Sequence, residues 1–347
     1  MRKIGLGRTG LEVSEICLGS MTWGTQNSES EGHAQIDLAL DRGVDFIDTA
    51  EMYPVNPVRL ETAGRTEEII GSWLAKTGRR QDVTLATKIT GAGSNAVKGG
   101  PAITPERVRD AVEGSLRRLQ TDYIDLYQLH WPNRGSYHFR QVWRFNPSKQ
   151  DTAAALANMQ EVLATLDELV KAGKIRHVGL SNETAWGVSQ WVRLAEAGFG
   201  PRMATIQNEY SLMCRYFDAD LAETCHHEDV TLLAYSPLAA GILSGKYSGD
   251  VTPDHSRRAL VADLGGRASA RAFDVADVYV GIAREAGLDP VTMAVRWTME
   301  RPVPTIPIIG AVSCKQLAAS LDAANMELSK EVSGRIEAAH RNWPMPF

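Results

Sequence analysis

The chain has 347 residues, of which 44% are hydrophobic and 23% are charged, as in an ordinary soluble globular protein. Its 37 basic and 42 acidic residues give a net charge of −5, so charge gives no reason to expect nucleic acid or an anionic membrane as a partner. The first residues lack the apolar segment of a signal peptide, and the longest uncharged run, residues 232–245, is too short to span a bilayer. The four cysteines form no CxxC pair, which predicts reduced thiols in a cytoplasmic protein.

Two glycine-rich stretches resemble the dinucleotide fingerprint GxGxxG without its structural context. Residues 5–10 spell the pattern, but residues 11–16 alternate like a strand, so we expect a hairpin with its turn near residues 8–10. Residues 91–96 follow a predicted strand, yet the Gly-Gly-Pro sequence at 99–101 prevents a helix from starting there. A classical doubly wound nucleotide-binding sheet is therefore not expected.

Beyond the hairpin, strands and helices alternate almost to the end of the chain. Thr104, Pro105 and Glu106 form a strong helix start, with a hydroxyl N-cap, proline at the first helical position and an acid in the first turn. Strands are expected at 15–19, 44–48, 83–88, 123–129, 175–180, 203–206, 230–234 and 303–308, and helices at 29–42, 66–76, 104–119, 152–171, 184–196, 218–227, 270–286, 290–300, 314–324 and 329–341. This α/β pattern predicts a (β/α)8 TIM barrel with an N-terminal β-hairpin and extra C-terminal helices, with residues 1–347 as one domain.

Three of the predicted strands end in ionisable residues. Asp48 closes the second strand, Lys88 closes the third and His130 follows the fourth, while Tyr53 lies five residues beyond Asp48. In a parallel barrel the C-terminal ends of all strands open on one face, so we expect these four side chains to converge there.

This set of residue types suits proton transfer to a carbonyl oxygen. A tyrosine with a pKa of about 10 exchanges protons poorly at neutral pH, and a nearby ammonium is expected to lower that pKa. Asp48 would keep Lys88 charged and in place, and His130 would orient a carbonyl or assist the proton transfer. The alternative for each residue taken alone is structural: an ion pair and ordinary residues at the barrel rim.

The stretches that carry these residues resemble the aldo-keto reductase family from end to end of the chain. The matching segments include Asp48-Thr49-Ala50, Asp125-Leu126-Tyr127, Leu129-His130-Trp131-Pro132, Ser181-Asn182, Gln207-Asn208, Tyr235-Ser236-Pro237-Leu238, Leu243-Ser244-Gly245-Lys246-Tyr247 and Pro307-Ile308-Ile309-Gly310-Ala311. The insertion after His130 and the closing Asn342-Trp343-Pro344 look most like the bacterial Tas-like branch.

The resemblance implies NADPH-dependent reduction of a small-molecule aldehyde or ketone. It casts Tyr53 as the proton donor, Asp48 and Lys88 as the residues that tune it, and His130 as the residue that orients the carbonyl. The implied cofactor residues are Ser181, Asn182 and Gln207 at the carboxamide, Tyr235 against the nicotinamide ring, Ser236, Leu238, Gly241, Ser244 and Lys246 around the pyrophosphate, and Arg257, Gly310, Val312, Ser313 and Gln316 on the adenosine side. Since many relatives carry a basic residue after the Gly-Ala pair, where this chain has Val312, the strength of the preference for NADPH over NADH stays open.

The same residues are compatible with other functions. A cofactor-binding regulatory subunit, like the potassium-channel β subunits that share the fold, would keep the same cofactor residues, and a metal-dependent barrel hydrolase or isomerase would need more converging ligands than His130 and Asp48. No metal is expected at residues 225–227, because adjacent helical residues point about 100° apart. The substrate and the oligomeric state are not determined.

The insertion at residues 131–150 has aromatic and basic residues but no acid. Such a pattern can bind nucleic acid, but over a barrel mouth it favours a substrate-pocket wall, with plain packing as the alternative. As a pocket wall it predicts a preference for aromatic or negatively charged carbonyl compounds, and it predicts that shortening the insertion changes the KM for substrates and leaves NADPH affinity nearly unaltered.

Overall fold

Eight parallel strands close into a barrel, and a two-stranded antiparallel hairpin precedes it, in a computed structural model that describes residues 1–97 and 99–347. The barrel strands are neighbours in chain order, and the last pairs with the first. The hairpin strands are β1 (Lys3–Gly5) and β2 (Glu12–Ser14), and the barrel strands are β3 (Cys17–Gly19), β4 (Phe46–Asp48), β5 (Thr84–Ile89), β6 (Ile124–Leu129), β7 (Ile175–Ser181), β8 (Met203–Glu209), β9 (Thr231–Tyr235) and β10 (Thr305–Ile309). The (β/α)8 fold and the N-terminal hairpin are thus confirmed.

Helices lie between the barrel strands, and more helices follow the last strand. They are α1 (Glu29–Asp41), α2 (Arg65–Thr77), α3 (Pro105–Leu119), α4 (Thr152–Lys171), α5 (Ala185–Glu196), α6 (Leu221–His227), α7 (Arg257–Leu260), α8 (Ala270–Glu285), α9 (Pro290–Met299), α10 (Cys314–Leu321) and α11 (Lys330–Asn342). The predicted cap of α3 is present, because the Thr104 side chain accepts a hydrogen bond from the Arg107 amide. No helix in the described part of the chain is long and apolar enough to cross a membrane.

Apolar side chains fill the barrel interior, and the hairpin closes the N-terminal end of the barrel. Leu6 and Val13 are fully buried in one cluster with residues from six of the barrel strands. The first strands are shorter than predicted because their flanking residues pair elsewhere: the Val44 amide bonds the carbonyl of Ala39 at the end of α1. Because the hairpin closes the N-terminal end of the barrel, a functional site is expected at the C-terminal end.

The long segment between β9 and α8, in which the sequence predicted no regular element, has local helical structure. It contains three short helical pieces, Ala239–Ser244, Ser248–Asp250 and α7. Their left-handed residues interrupt any longer periodicity, with positive φ at Ala239, Ala240 and Gly241. A sequence pattern with a 3.6-residue period cannot predict such turns.

Candidate active site

Asp48, Lys88 and His130 lie at the same end of the barrel, at the C-terminal ends of β4, β5 and β6. Strand register aligns them, since Asp48 is opposite Ala86, and Lys88 is opposite Gln128. Tyr53 is carried by the loop that follows β4. The structure therefore brings Asp48, Tyr53, Lys88 and His130 together at one end of the barrel, as the sequence predicted.

Asp48 and Lys88 form a buried ion pair at the base of this site. Lys88 Nζ lies 2.7 Å from Asp48 Oδ2 and 2.7 Å from the carbonyl oxygen of Thr49, and neither side chain is accessible. The other carboxylate oxygen accepts hydrogen bonds from Gln128 Nε2 (3.1 Å) and Gln207 Nε2 (2.9 Å). Burial lowers the pKa of Lys88, but Asp48 and Tyr53 outweigh it and raise that pKa above its ordinary value. The ammonium is therefore held in its charged form.

Tyr53 lies directly beside the ammonium, and its ring is partly exposed at the mouth. Lys88 Nζ is 4.9 Å from the centroid of the Tyr53 ring, and the His130 ring meets it edge-on at 5.9 Å. Burial raises the pKa of Tyr53, and the opposing charge of Lys88 does not fully offset it. The expected net lowering of this pKa is therefore wrong: desolvation of the phenolate outweighs the ammonium, and the phenol stays protonated at neutral pH.

His130 is neutral and has an unused ring nitrogen. Burial first, and then the charge of Lys88, lower the pKa of His130 well below its usual range. Its Nδ1 atom is buried and has no hydrogen-bond partner within residues 1–97 and 99–347. Since buried polar atoms in native proteins are nearly always satisfied, this nitrogen is a candidate contact for a bound molecule.

The four residues expected at a nicotinamide carboxamide and ring lie next to this group. Asn182 Nδ2 donates to the carbonyl oxygen of His130 (2.9 Å), and the Tyr235 hydroxyl donates to Asn182 Oδ1 (2.8 Å). The Ser181 hydroxyl donates to the carbonyl oxygen of Gln207 (2.8 Å). These bonds connect the ends of β7, β8 and β9 into one polar surface beside His130.

The predicted pyrophosphate segment, which contains Ser236, Leu238, Gly241, Ser244 and Lys246, follows β9 and turns sharply. Its left-handed residues form consecutive tight turns, in which the Ala239 amide donates to the carbonyl of Ser236 (2.8 Å) and the Gly241 amide donates to the carbonyl of Leu238 (2.9 Å). A Cβ atom on Gly241 would lie 3.0 Å from the end of the Lys246 side chain, so glycine leaves room for that side chain to fold back over the turn.

Arg257 is a partly buried guanidinium without a counter-charge. It begins α7 and forms no ion pair with any described residue, and its Nε atom is buried without a partner. Burial, followed by the charge of Arg267, lowers the pKa of Arg257 to about 10. A buried cation of this kind is stabilised by a bound anion.

The predicted adenosine-side residues surround the start of α10. Ser313 caps the helix and accepts from the Gln316 amide (3.3 Å), and the Val312 amide donates to Gln316 Oε1 (3.2 Å). Gly310 follows directly after β10. The polar groups of this segment are thus partly engaged with one another.

Two further polar residues in this region were not among the predicted site residues. Gln26 follows β3 and has a buried Nε2 atom with no partner among the residues described, while its neighbour Asn27 donates to the carbonyl of Val312 (3.0 Å). Lys315 is exposed in the first turn of α10. Lys315 was detectable in the sequence as a basic residue in a first helical turn, where acids are favoured. Gln26 could not be predicted from a pattern, because its segment belongs to no regular element.

Comparison with known proteins decides the family. The sequence profile of the Aldo/keto reductase family matches residues 15–341. The chain belongs to the aldo/keto reductase family. The protein Tas of Escherichia coli K12 is 42% identical over 339 residues, which cover 97% of this chain and 96% of that protein. The uncharacterized oxidoreductase YrpG of Bacillus subtilis is 32% identical over 94% of this chain and 92% of its own length. A probable voltage-gated potassium channel β subunit of Oryza sativa is 28% identical over 99% of this chain and 98% of its own length.

The likeness to Tas proteins confirms the predicted branch, and the oxidoreductase relatives support a general oxidoreductase role. Aldo/keto reductases generally use a nicotinamide dinucleotide and act on small carbonyl compounds. The mouth of this aldo/keto reductase fits such a cofactor: His130 Nδ1, Gln26 Nε2 and Arg257 Nε are buried polar atoms without partners among the described residues, and Arg257 adds an uncompensated positive charge.

The insertion at residues 131–150 covers part of this mouth. Trp131 packs against His130 (ring centroids 4.9 Å apart), and Phe139 meets Trp131 edge-on at 5.7 Å. A Cβ atom on Gly91 would lie 2.2 Å from the Trp131 indole nitrogen, so the second GxGxxG-like stretch provides room for this ring. Aromatic rings therefore run in contact from Tyr53 to Phe139, which is 51% exposed.

The charges of this insertion are less available than the sequence indicated. Arg134 forms a buried ion pair with Glu183, and Arg140 forms one with Glu209. These glutamates follow β7 and end β8, so they are distant in sequence. Of the four basic residues, only Arg144 and Lys149 are exposed without an ion pair in the described structure. Only two of the four positive charges are therefore left to attract a negatively charged substrate.

Proposed function

We propose that this protein is a cytoplasmic, single-domain carbonyl reductase that uses NADPH to reduce an aldehyde or ketone, with Tyr53 as the general acid. The observation that carries the proposal is the position of the Tyr53 ring between Lys88, which is buried and paired with Asp48, and the ring of His130. A protonated phenol beside an ammonium can give up its proton when negative charge develops on a carbonyl oxygen. A purely structural ion pair needs neither residue beside it.

When bound, NADPH supplies the hydride that reduces the carbonyl carbon. As the carbon–oxygen π pair moves onto oxygen, Tyr53 breaks its O–H bond and donates that proton, which leaves an alcohol and a phenolate. Lys88 stabilises the phenolate by charge, and Asp48 holds Lys88 in place at 2.7 Å. His130 orients the carbonyl oxygen through an imidazole nitrogen, which is neutral and can donate a hydrogen bond without competing for the proton.

The residues implied by the resemblance would hold the cofactor. Asn182, Ser181 and Gln207 would bind the carboxamide, Tyr235 would support the ring, and Arg257 would neutralise phosphate charge. The remaining proposed contacts are Ser236, Leu238, Gly241, Ser244, Lys246, Gly310, Val312, Ser313 and Gln316, to which Gln26 and Lys315 are added.

The direct test is to titrate the protein with NADPH by its tryptophan fluorescence and then to follow NADPH oxidation with a panel of aldehydes and ketones. We expect saturable binding and turnover with several carbonyl compounds. Tight binding without turnover on any panel member would instead favour the cofactor-binding regulatory subunit, the role that the potassium-channel relative suggests.

NADPH is expected to bind more tightly than NADH, with Arg257 as a main source of affinity. Arg257→Gln should weaken NADPH binding by about tenfold or more, because a charge-assisted hydrogen bond contributes about 1.5–3 kcal/mol. Arg258→Gln is the matched control, because Arg258 is the next residue in the chain and its guanidinium already pairs with Asp250. Dissociation constants that are equal for the two cofactors, or that favour NADH, would contradict the preference.

Aromatic carbonyl compounds are expected to be preferred over small aliphatic ones. Phe139→Ala removes the outermost ring of the aromatic contact and should raise the KM for an aromatic aldehyde by about fivefold, equivalent to about 1 kcal/mol of lost ring contact. The KM for a short aliphatic aldehyde should change little. Trp143→Ala is the control, because this side chain is 69% exposed and contacts no other aromatic ring of the described residues. Equal effects of the two variants on the substrate panel would show that the insertion does not shape the pocket.

A further inference from the structure

Alternate residues of the insertion bind the chain segments that follow β7 and end β8. The Ser136 hydroxyl donates to the backbone carbonyl of Asn182 (2.9 Å), and His138 Nε2 contacts the carbonyl of Glu183 (3.1 Å). Arg134 pairs with the Glu183 carboxylate. The insertion thus contacts residues Asn182 and Glu183 through three side chains.

Asn182 needs this support because of its backbone conformation. Its φ is +51°, in the left-handed region that costs a residue with a side chain about 1 kcal/mol or more, less for asparagine than for most. The residue is 1% exposed, and its amide N–H already bonds the carbonyl of Gln207 (3.0 Å). Of the hydrogen bonds to its backbone, the one from Ser136 is the contact made by the insertion.

The left-handed backbone places the Asn182 side chain between two residues of the site. Its Nδ2 atom bonds the carbonyl of His130, and its Oδ1 atom accepts from the Tyr235 hydroxyl. A change of φ at this residue would move the side-chain amide away from both partners, because Cα–Cβ turns with the backbone. The conformation of Asn182 therefore fixes the distance between the His130 and Tyr235 sides of the mouth.

We propose that Ser136 is a positioning residue of the nicotinamide site: its hydroxyl holds Asn182 in the left-handed conformation in which the Asn182 amide joins His130 to Tyr235. This inference rests on the proposed cofactor site, and it gives the insertion a second role. Cofactor affinity then depends on the insertion, in contrast to the expectation that shortening it would leave NADPH binding nearly unaltered. The dependence is confined to the nicotinamide end, since Asn182 is not among the proposed adenosine-side residues.

The test compares the affinity for NADPH with that for 2′-phospho-ADP-ribose, which lacks the nicotinamide. Ser136→Ala is expected to weaken NADPH binding about three- to tenfold, the effect of losing one partly buried hydrogen bond of ordinary strength. Binding of 2′-phospho-ADP-ribose should change by less than about twofold. Ser136→Thr keeps the hydroxyl and should restore most of the NADPH affinity.

Ser148→Ala is the matched control, because Ser148 lies in the same insertion and is exposed, and its hydroxyl makes no hydrogen bond to the described residues. Unchanged NADPH binding in Ser136→Ala, or equal losses for both ligands, would overturn the positioning role. The binding test needs no turnover, so a wild-type protein that binds NADPH but reduces no carbonyl compound would refute the proposed reductase and still decide this inference. A wild-type protein that binds neither ligand would overturn both.

Discussion

Replacing Tyr53 by Phe is expected to lower the rate of carbonyl reduction about 10²–10⁴-fold, the usual contribution of general acid catalysis. The change removes one oxygen and keeps the ring that packs against His130. Folding and NADPH binding should therefore be retained. Single-turnover kinetics with saturating NADPH measure the chemical step directly, and thermal unfolding and fluorescence titration check the fold and the affinity.

A Tyr53→Phe variant that binds NADPH and reduces aldehydes at near the wild-type rate would remove Tyr53 from the mechanism. Tyr235→Phe is the matched control, because it also deletes one phenolic oxygen at the mouth, the one bonded to Asn182. We expect Tyr235→Phe to weaken cofactor binding and to leave the chemical step largely intact at saturating NADPH.

Lys88→Met is expected to impair both catalysis and folding. Removing the ammonium takes away the charge that stabilises the Tyr53 phenolate, which should cost about 10²–10³ in rate, as for loss of one preorganised electrostatic contact. It also leaves Asp48 buried with only the amides of Gln128 and Gln207 as partners. Breaking a buried ion pair in this way lowers the free energy of unfolding by about 3–5 kcal/mol. Denaturant unfolding and single-turnover kinetics measure the two losses separately.

The double variant Lys88→Met with Asp48→Asn separates these effects. It removes the uncompensated carboxylate, so much of the lost free energy of unfolding should return, while the reduction rate should stay low. Recovery of the rate together with the stability would show that Lys88 acts only as a structural partner of Asp48.

The pH profile gives a second readout of Lys88. Because burial raises the pKa of Tyr53, the acid form needed for reduction persists at neutral pH, and the rate should fall only as pH rises through a value above about 10. Lys88→Met removes the one charge that opposes the burial effect most strongly, so the fall should move to still higher pH. A shift to lower pH would contradict this electrostatic role.

Much of the architecture was determined by local sequence. Period-two and period-3.6 patterns, the cap at Thr104 and the glycine turn at residues 8–10 predicted the barrel and the hairpin, because these signals act over a few residues. The ends of consecutive parallel strands meet on one face, so Asp48, Lys88 and His130 could be brought together from the pattern alone.

Only the tertiary structure decided the electrostatics and the partners. The sequence indicated that Lys88 would lower the pKa of Tyr53, but burial raises this pKa by more, and burial depends on the packing of the whole mouth. In the same way, Arg134 and Arg140 looked like free positive charges, whereas the folded chain pairs them with Glu183 and Glu209. Those partners lie 49 and 69 residues away along the chain, and no local pattern encodes contacts between segments that meet only when the barrel closes.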